Sequence, residues 1–137
     1  MSVATAETIE LLVAFTLPRN PFSVHMARFY ARAAQGHYNL GGNTGNTGDI
    51  ETVTSELVGN AVRHAGGFAV SLILTRAEGL LAVVVGDLSP DPPVKRPLDG
   101  DAADGRGLHI VEALSARWGW LPQAPGKAVY AVFTTEA

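Results

Sequence analysis

Two apolar runs separated by a short polar connection constrain the fold of this chain most. Residues 68–75 and 80–85 are rich in valine, leucine and isoleucine, and the connection between them ends in Gly79. Apolar runs joined by a short glycine-containing segment are typical of a β-hairpin. The pattern therefore predicts two paired strands in the middle of the chain.

The remaining elements follow from periodicity and from the positions of proline and glycine. Apolar residues recur at helical spacing between Pro21 and Gly36, and again from Asp49 to His64. In order, the predicted elements are a strand over 9–17, helices over 22–35 and 49–64, the central hairpin, a helix over 107–117, and a last hairpin whose turn contains Pro122, Pro125 and Gly126. This order predicts an α/β (α+β) two-layer sandwich in which the helices cover one face of a mixed β-sheet.

The composition fits one compact domain over residues 1–137. The chain has 137 residues, of which 47% are hydrophobic and 17% are charged, and no linker divides it into two cores. Residues 1–7 are expected to be flexible. Residues 40–49 and 88–104 are rich in glycine, asparagine, proline or aspartate, and therefore predict loops.

Charge and residue inventory exclude several classes of function. The formal net charge of -3 provides no positive field for nucleic acid. The chain has no cysteine, which excludes disulfides and thiol chemistry, and its four histidines lack the spacing of a zinc site. No apolar run is long enough to cross a bilayer, and the N-terminus lacks the pattern of a secretory signal. We therefore expect a cytoplasmic protein that binds neither a membrane nor nucleic acid directly.

A polar stripe on the second predicted helix is the first candidate for a binding site. Glu56, Asn60, Arg63 and His64 fall on one side of the helix, at about 100° per residue, next to an apolar arc. Asparagine is a poor helix former, so a solvated face would more often carry lysine or glutamate at its position. A simpler interpretation stays open, in which the stripe is a hydrated helix surface.

Two further segments carry candidate binding residues. Asp87 follows a buried strand, where side chains often face a ligand, although Asp-Leu-Ser-Pro is also an ordinary loop opening. Gly105 and Gly107 open a predicted helix, where free N–H groups and the positive end of the helix dipole attract anions. Taken alone, this glycine pair is equally typical of a plain loop-to-helix junction.

Together, these three segments resemble the GHKL superfamily of ATPases. Residues 56–65, 86–89 and 105–119 are similar in order and spacing to the histidine kinase-like ATP-binding domains of the anti-sigma-factor serine kinase type, in particular the stand-alone actinobacterial versions. The resemblance extends from Ile9 to Phe133 and implies a Bergerat-type ATP-binding fold.

The resemblance implies roles for the motif residues. Asn60 would be the side-chain ligand of Mg²⁺, and Glu56 would be the general base toward water or a serine hydroxyl. Arg63 would face the phosphates, whereas His64 would pack at the end of the motif. Asp87 would accept a hydrogen bond from the adenine amino group. The other nucleotide-binding residues would be Ser89, Gly105, Arg106, Gly107 and Leu108, with the last four at the phosphates.

The chain departs from the family's pattern in two places. The ATP lid would span residues 88–104, but residues 87–91 lack the glycine hinge that is usual in the wider superfamily. Residues 126–129 lack the threonine that the family often places near the adenine. These departures predict altered lid motion and weaker adenine binding.

The resemblance implies two functions of different classes, both with ATP and Mg²⁺ as cofactors. The first is a regulatory serine/threonine protein kinase that phosphorylates a small antagonist protein, binds a sigma factor and so regulates transcription. The second is a nucleotide-dependent protein-binding module with little or no phosphoryl transfer. An adaptor with an empty cleft is disfavoured because the motifs are intact. The apolar face of the first helix is a candidate surface for a protein partner or for a homodimer.

Overall fold

The computed structural model describes residues 8–40, 47–95 and 106–135. Its elements are β1 (Glu10–Pro18), α1 (Phe22–Tyr38), α2 (Thr47–His64), β2 (Ala69–Ala77), β3 (Leu80–Asp87), α3 (Arg106–Leu114), β4 (Arg117–Gln123) and β5 (Gly126–Thr134). The predicted order of strands and helices is confirmed. Three predictions concern segments outside the described residues. They are the flexibility of residues 1–7, most of the loop over 40–49 and the second half of the lid over 88–104.

The five strands form one sheet in the order β1-β2-β3-β5-β4. Every neighbouring pair in this order is antiparallel, so the prediction of a mixed sheet is wrong. The reason is that β5, and not β4, lies beside β3. Because β4 runs in the same direction as β3, direct pairing of these two strands would have been parallel.

The helices form a second layer, and α2 is its centre. Helix α2 contacts α1 on one side and α3 on the other, and it packs on strands β2, β3 and β5. The α/β two-layer sandwich is therefore confirmed. Every second residue over most of β2 and β3 is buried, as expected for strands with one face against a core.

The core lies between these layers. Its strand residues are Val13, Leu17, Val70, Leu72, Leu74, Leu81, Val83, Val85, Val129, Ala131 and Phe133, and its helix residues include Ala27, Ala34, Ile50, Val53, Leu57, Val58, Ala61, Leu108 and Val111. Full burial of an aliphatic side chain contributes about 1.5–3 kcal/mol before the loss of conformational entropy is subtracted. The α2 residues of this set fix which side of α2 faces the sheet, and thereby where its polar stripe lies.

Two helix ends differ from the sequence predictions. Helix α1 continues through Gly36 and ends at Asn39, which adopts the left-handed conformation (φ 54°, ψ 45°) and donates its N–H to the carbonyl of Gln35. Asparagine tolerates this conformation well, so it can end a helix where glycine is absent. Helix α3 ends at Leu114, because Arg117 already pairs with Val132 in the sheet.

The inner face of α1 is made of small residues. Ala27, Ala31 and Ala34 are buried, whereas Phe22 and Phe29 are 66% and 63% exposed. The helix therefore packs closely through alanines and leaves the rings of Phe22 and Phe29 exposed. Its predicted role as a partner or dimer surface stays a prediction. Within the described part of the chain, no helix combines the length and the apolar character needed to cross a bilayer.

Candidate functional site

A cavity of about 220 Å³ opens between α2 and the end of strand β3. Its lining combines apolar and polar residues, and consists of Leu57, Asn60, Ala61, His64, Val85, Asp87, Ser89, Asp91, Pro92, Pro93, Val94, Leu108, Lys127 and Val129. Pockets for drug-sized ligands usually measure ~300–1,000 Å³. This cavity is therefore smaller than a pocket that encloses a whole drug-sized ligand.

The polar stripe of α2 forms one wall of the cavity. Leu57 and Ala61 are buried in the core at 2% and 4% exposure, and Asn60 beside them is half-buried. Arg63 lies on the outside of the helix and donates from Nη2 to Oδ1 of Asn60 at 2.8 Å. The interpretation of the stripe as a hydrated surface applies to the exposed Arg63, but not to Asn60, which faces the cavity.

The start of α3 lies directly against this stripe. A Cβ built at Gly107 would lie 2.7 Å from Oε2 of Glu56 and 3.4 Å from Oδ1 of Asn60. Glycine at this position therefore allows the first turn of α3 to approach both side chains. Because the free N–H groups of that turn carry the positive end of the helix dipole, an anion beside Asn60 would be stabilised.

Asp87 ends strand β3 and also lines the cavity. Its side chain is 4% exposed and forms an ion pair with Nζ of Lys127 at 3.1 Å, and the Lys127 side chain is itself only 8% exposed. Oδ1 of Asp87 also accepts the N–H of Ser89 at 2.9 Å. Nζ of Lys127 additionally donates to the carbonyl of Ser89 at 3.3 Å. The buried charges of Asp87 and Lys127 thus compensate each other. Their attraction offsets part of the free-energy cost of removing both groups from water.

Lys127 is the functional candidate that the sequence prediction missed. In the sequence, residues 126–129 depart from the family pattern by their lack of a threonine. The structure pairs Asp87 with Lys127 in the register of β3 and β5, and Gly126 before it has no room for a side chain, since a Cβ there would overlap the backbone of Asp87. The only signal in the sequence is a charged residue at the start of an apolar strand, and it does not reveal the partner strand or the register.

The segment after β3 runs over the cavity and is joined to α3. Asp91, Pro92, Pro93 and Val94 line the cavity. Lys95 donates from Nζ to both carboxylate oxygens of Glu112, at 2.8 and 3.0 Å. Trp118 Nε1 contacts the same carboxylate at 3.4 Å. The hydrogen bonds from Lys95 and, to a lesser extent, from Trp118 hold the pKa of Glu112 below its usual value.

The structure thus brings most of the predicted site residues together. Asn60, His64, Asp87, Ser89 and Leu108 line one cavity. Glu56 and Gly107 contact each other beside it, and Arg63 reaches it through Asn60. Gly105 and the side chain of Arg106 lie outside the described residues. The ligand roles assigned to these residues stay predictions.

The oxygen atoms on the α2 side are of the type that Mg²⁺ prefers. Among residues 8–40, 47–95 and 106–135, no three histidine or acidic side chains converge on a metal site. Mg²⁺ needs no such cage, because it retains several waters and commonly takes one or two protein oxygens together with substrate phosphates. Oδ1 of Asn60, which lies beside Gly107 at the start of α3, is an oxygen ligand of this kind.

Comparison with known proteins gives the family and the fold. A family model described as the histidine kinase-like ATPase domain matches residues 17–132. No curated protein matches the chain. Among solved structures, the RsbU and RsbW domains of Rv1364c from Mycobacterium tuberculosis match with a TM-score of 0.68 and 19% sequence identity, over 89% of this chain and 32% of that chain. The chain therefore spans about a third of the solved chain, and this likeness shows the fold. Since the family model covers most of the sequence, the chain belongs to the histidine kinase-like ATPase domain family.

Proposed function

We propose that this protein binds Mg-ATP in the cavity between α2 and β3 and acts as a regulatory serine/threonine protein kinase on a small antagonist protein. The observation that carries the proposal is the convergence of Asn60, Asp87 and the start of α3 on one cavity. Membership in the histidine kinase-like ATPase family supports nucleotide binding, and the likeness in fold to a structure that contains an RsbW domain supports a regulatory role.

The base of the nucleotide enters the apolar part of the cavity. Val85, Leu108 and Val129 provide apolar contacts, and the buried Asp87 lines the same pocket. A buried carboxylate accepts hydrogen bonds and donates none, so it favours the 6-amino group of adenine over the 6-oxo group of guanine. This contact makes the site selective for adenine.

The phosphates extend toward α2 and the start of α3. Bound Mg²⁺ would be held by Asn60 and would neutralise phosphate charge. The N–H groups at the start of α3 bind phosphate oxygens, and Gly107 lets them approach. The guanidinium of Arg63, which contacts Asn60, would add a charge-assisted hydrogen bond to a phosphate bound beside Asn60.

Glu56 is the proposed proton acceptor. It lies one helical turn before Asn60, and its carboxylate is next to the glycine at the start of α3. A carboxylate in this position takes the proton of an attacking serine hydroxyl once the partner protein presents that serine to the γ-phosphate. Catalysis then depends mainly on positioning and on charge neutralisation.

A second candidate function is a nucleotide-dependent binding module that holds ATP and binds a sigma factor or an antagonist without transferring phosphate. One observation favours it: among the described residues, Glu56 lies against Gly107 and is not part of the cavity lining. In this alternative, bound nucleotide changes the affinity for the protein partner.

Calorimetric titration tests nucleotide binding. We expect wild-type protein to bind ATP more tightly than GTP, and to bind ATP more tightly with Mg²⁺ than without it. In Asn60→Ala, Mg²⁺ should no longer change the affinity for ATP. Ser55→Ala is a matched control on the same helix, because among the described residues its hydroxyl bonds only to the Glu51 carbonyl of α2. If wild-type protein binds neither nucleotide, the proposal is wrong.

Phosphoryl transfer then separates the two candidate functions. Radiolabelled γ-phosphate should appear on a serine of an antagonist protein with wild type and not with Glu56→Gln, while both proteins bind ATP equally. If the protein binds ATP and an antagonist but labels no serine of that antagonist, it is a binding module and not a kinase.

A further inference from the structure

The buried Lys127 has no role in the proposed function, although it lies inside the proposed base pocket. Its side chain is 8% exposed, and it lines the cavity together with Asp87. Moving a lysine ammonium out of water is costly unless its hydrogen bonds are satisfied. The inference below concerns this residue and rests on the proposed ATP site.

Lys127 and Asp87 both line the cavity, and among the described residues both retain unused hydrogen-bonding capacity. An ammonium has three donors, and among the described residues Lys127 uses two of them, on Oδ1 of Asp87 and on the carbonyl of Ser89. Within the same set of residues, the two hydrogen bonds that Asp87 accepts both end on Oδ1. The pair therefore offers a ligand one acceptor, Oδ2 of Asp87, next to one donor, the third N–H of Lys127.

The backbone holds these two groups in place. Asp87 and Lys127 are direct partners in the register of β3 and β5, and Gly126 packs against the backbone of Asp87. Ser89 contacts both side chains, with its N–H on Asp87 and its carbonyl on Lys127. The acceptor and the donor are thus ordered before any ligand arrives.

This arrangement is complementary to one edge of adenine. At that edge the 6-amino group donates a hydrogen bond, and the neighbouring ring nitrogen N1 accepts one. We propose that Lys127 is a second base-reading residue, which donates to N1 of adenine while Asp87 accepts from the 6-amino group. Guanine in the same orientation presents the reverse order, an acceptor at O6 and a donor at N1, and so it mismatches both groups.

An ATP analogue without the N1 acceptor tests this proposal. 1-Deaza-ATP has C–H in place of N1 and keeps the 6-amino group, so it leaves the third N–H of Lys127 unpaired. An unsatisfied buried donor costs enough to weaken binding by about tenfold or more. In calorimetric titrations with Mg²⁺, we therefore expect wild-type protein to bind 1-deaza-ATP more weakly than ATP, by about tenfold or more.

Two controls assign the loss to Lys127. 7-Deaza-ATP also lacks one ring nitrogen but retains N1, so wild-type protein should bind it as it binds ATP. In Lys127→Met, ATP and 1-deaza-ATP should bind with equal affinity. Purine riboside triphosphate, which lacks only the 6-amino group, should still bind Lys127→Met more weakly than ATP does, because Asp87 is unchanged.

Each outcome supports or overturns the proposal. Equal binding of ATP and 1-deaza-ATP by wild-type protein overturns it and leaves the ATP site itself intact. If Lys127→Met still binds ATP more tightly than 1-deaza-ATP by the wild-type factor, the proposal is also overturned, because another group would then contact N1. If Lys127→Met does not fold, wild-type protein still tests the proposal: equal binding of ATP and 1-deaza-ATP overturns it, whereas weaker binding of 1-deaza-ATP alone, with 7-deaza-ATP bound like ATP, supports it. Failure of wild-type protein to bind ATP at all removes the proposed function as well.

Discussion

Gly107 places the start of α3 against the candidate catalytic residue Glu56 and its neighbour Asn60. A Cβ at this position would press on Oε2 of Glu56, which must move, and would contact Asn60 at ordinary van der Waals distance. We predict that Gly107→Ala reduces phosphoryl transfer by about tenfold or more, since a positioned general base contributes ~10²–10⁴-fold. The free energy of unfolding should change by less than ~1 kcal/mol, because alanine is the better helix former. Transfer assays and urea unfolding measure the two effects.

Gly36→Ala provides the matched control for this substitution. Gly36 lies on α1, and a Cβ there would meet no other atom within 4 Å. Alanine should therefore raise the free energy of unfolding by ~0.5–1 kcal/mol and leave transfer unchanged. Transfer at the wild-type rate in Gly107→Ala would show that the position of Glu56 is unimportant.

The residues of the candidate site differ in how far the sequence reveals them. The stripe from Glu56 to His64 follows from helical spacing alone, because all its members lie on one element. Asp87 follows from its position after an apolar strand. Lys127 pairs with Asp87 across 40 residues of sequence, and such a contact depends on strand order and register, which periodicity does not contain.

At the scale of elements, one ion pair joins the segment after β3 to helix α3. Lys95 contacts both oxygens of Glu112, and these hydrogen bonds lower the pKa of that carboxyl. A carboxyl whose pKa is lower in the folded protein stabilises the fold above its unfolded pKa. That contribution disappears as the pH falls through the lowered folded value. The ion pair should therefore persist below the pH at which an ordinary glutamate is protonated.

Titration of the Glu112 carboxyl by ¹³C NMR measures this effect. The signal is assigned by its absence in Glu112→Gln. We predict that Lys95→Met raises the titration midpoint of Glu112 toward the ordinary value of glutamate, because the largest cause of the shift is removed. An unchanged midpoint would mean that Lys95 and Glu112 do not interact in solution.

The elements themselves were largely predictable, whereas their arrangement was less so. Proline and glycine mark most boundaries, but Gly36 does not end α1, because Asn39 provides a left-handed end three residues later. The central hairpin is a local feature and was predicted correctly. The pairing of β3 with β5 bypasses β4 and makes the sheet antiparallel throughout its described pairs, and no local pattern distinguishes it from the alternative order.

At the scale of the whole molecule, the candidate site lies where the two layers of the fold meet. Asn60 and His64 belong to the helical layer, whereas Asp87 and Lys127 belong to the sheet. A ligand that contacts both layers requires their native packing. Nucleotide should therefore bind the folded chain and not the unfolded one, which links binding to global stability.

This linkage gives a prediction that needs no protein partner. At an ATP concentration of about 100 times its Kd, with Mg²⁺ present, the free energy of unfolding should rise by about 2.7 kcal/mol. For a chain of this length, the increase corresponds to a rise in Tm of roughly 10 °C, measurable by scanning calorimetry. GTP at the same concentration should raise Tm less, because its 6-oxo group cannot donate to Asp87. Asn60→Ala should show a smaller rise with Mg-ATP than wild type. Equal stabilisation by ATP and GTP in both proteins would indicate that nucleotides bind through their phosphates elsewhere on the surface.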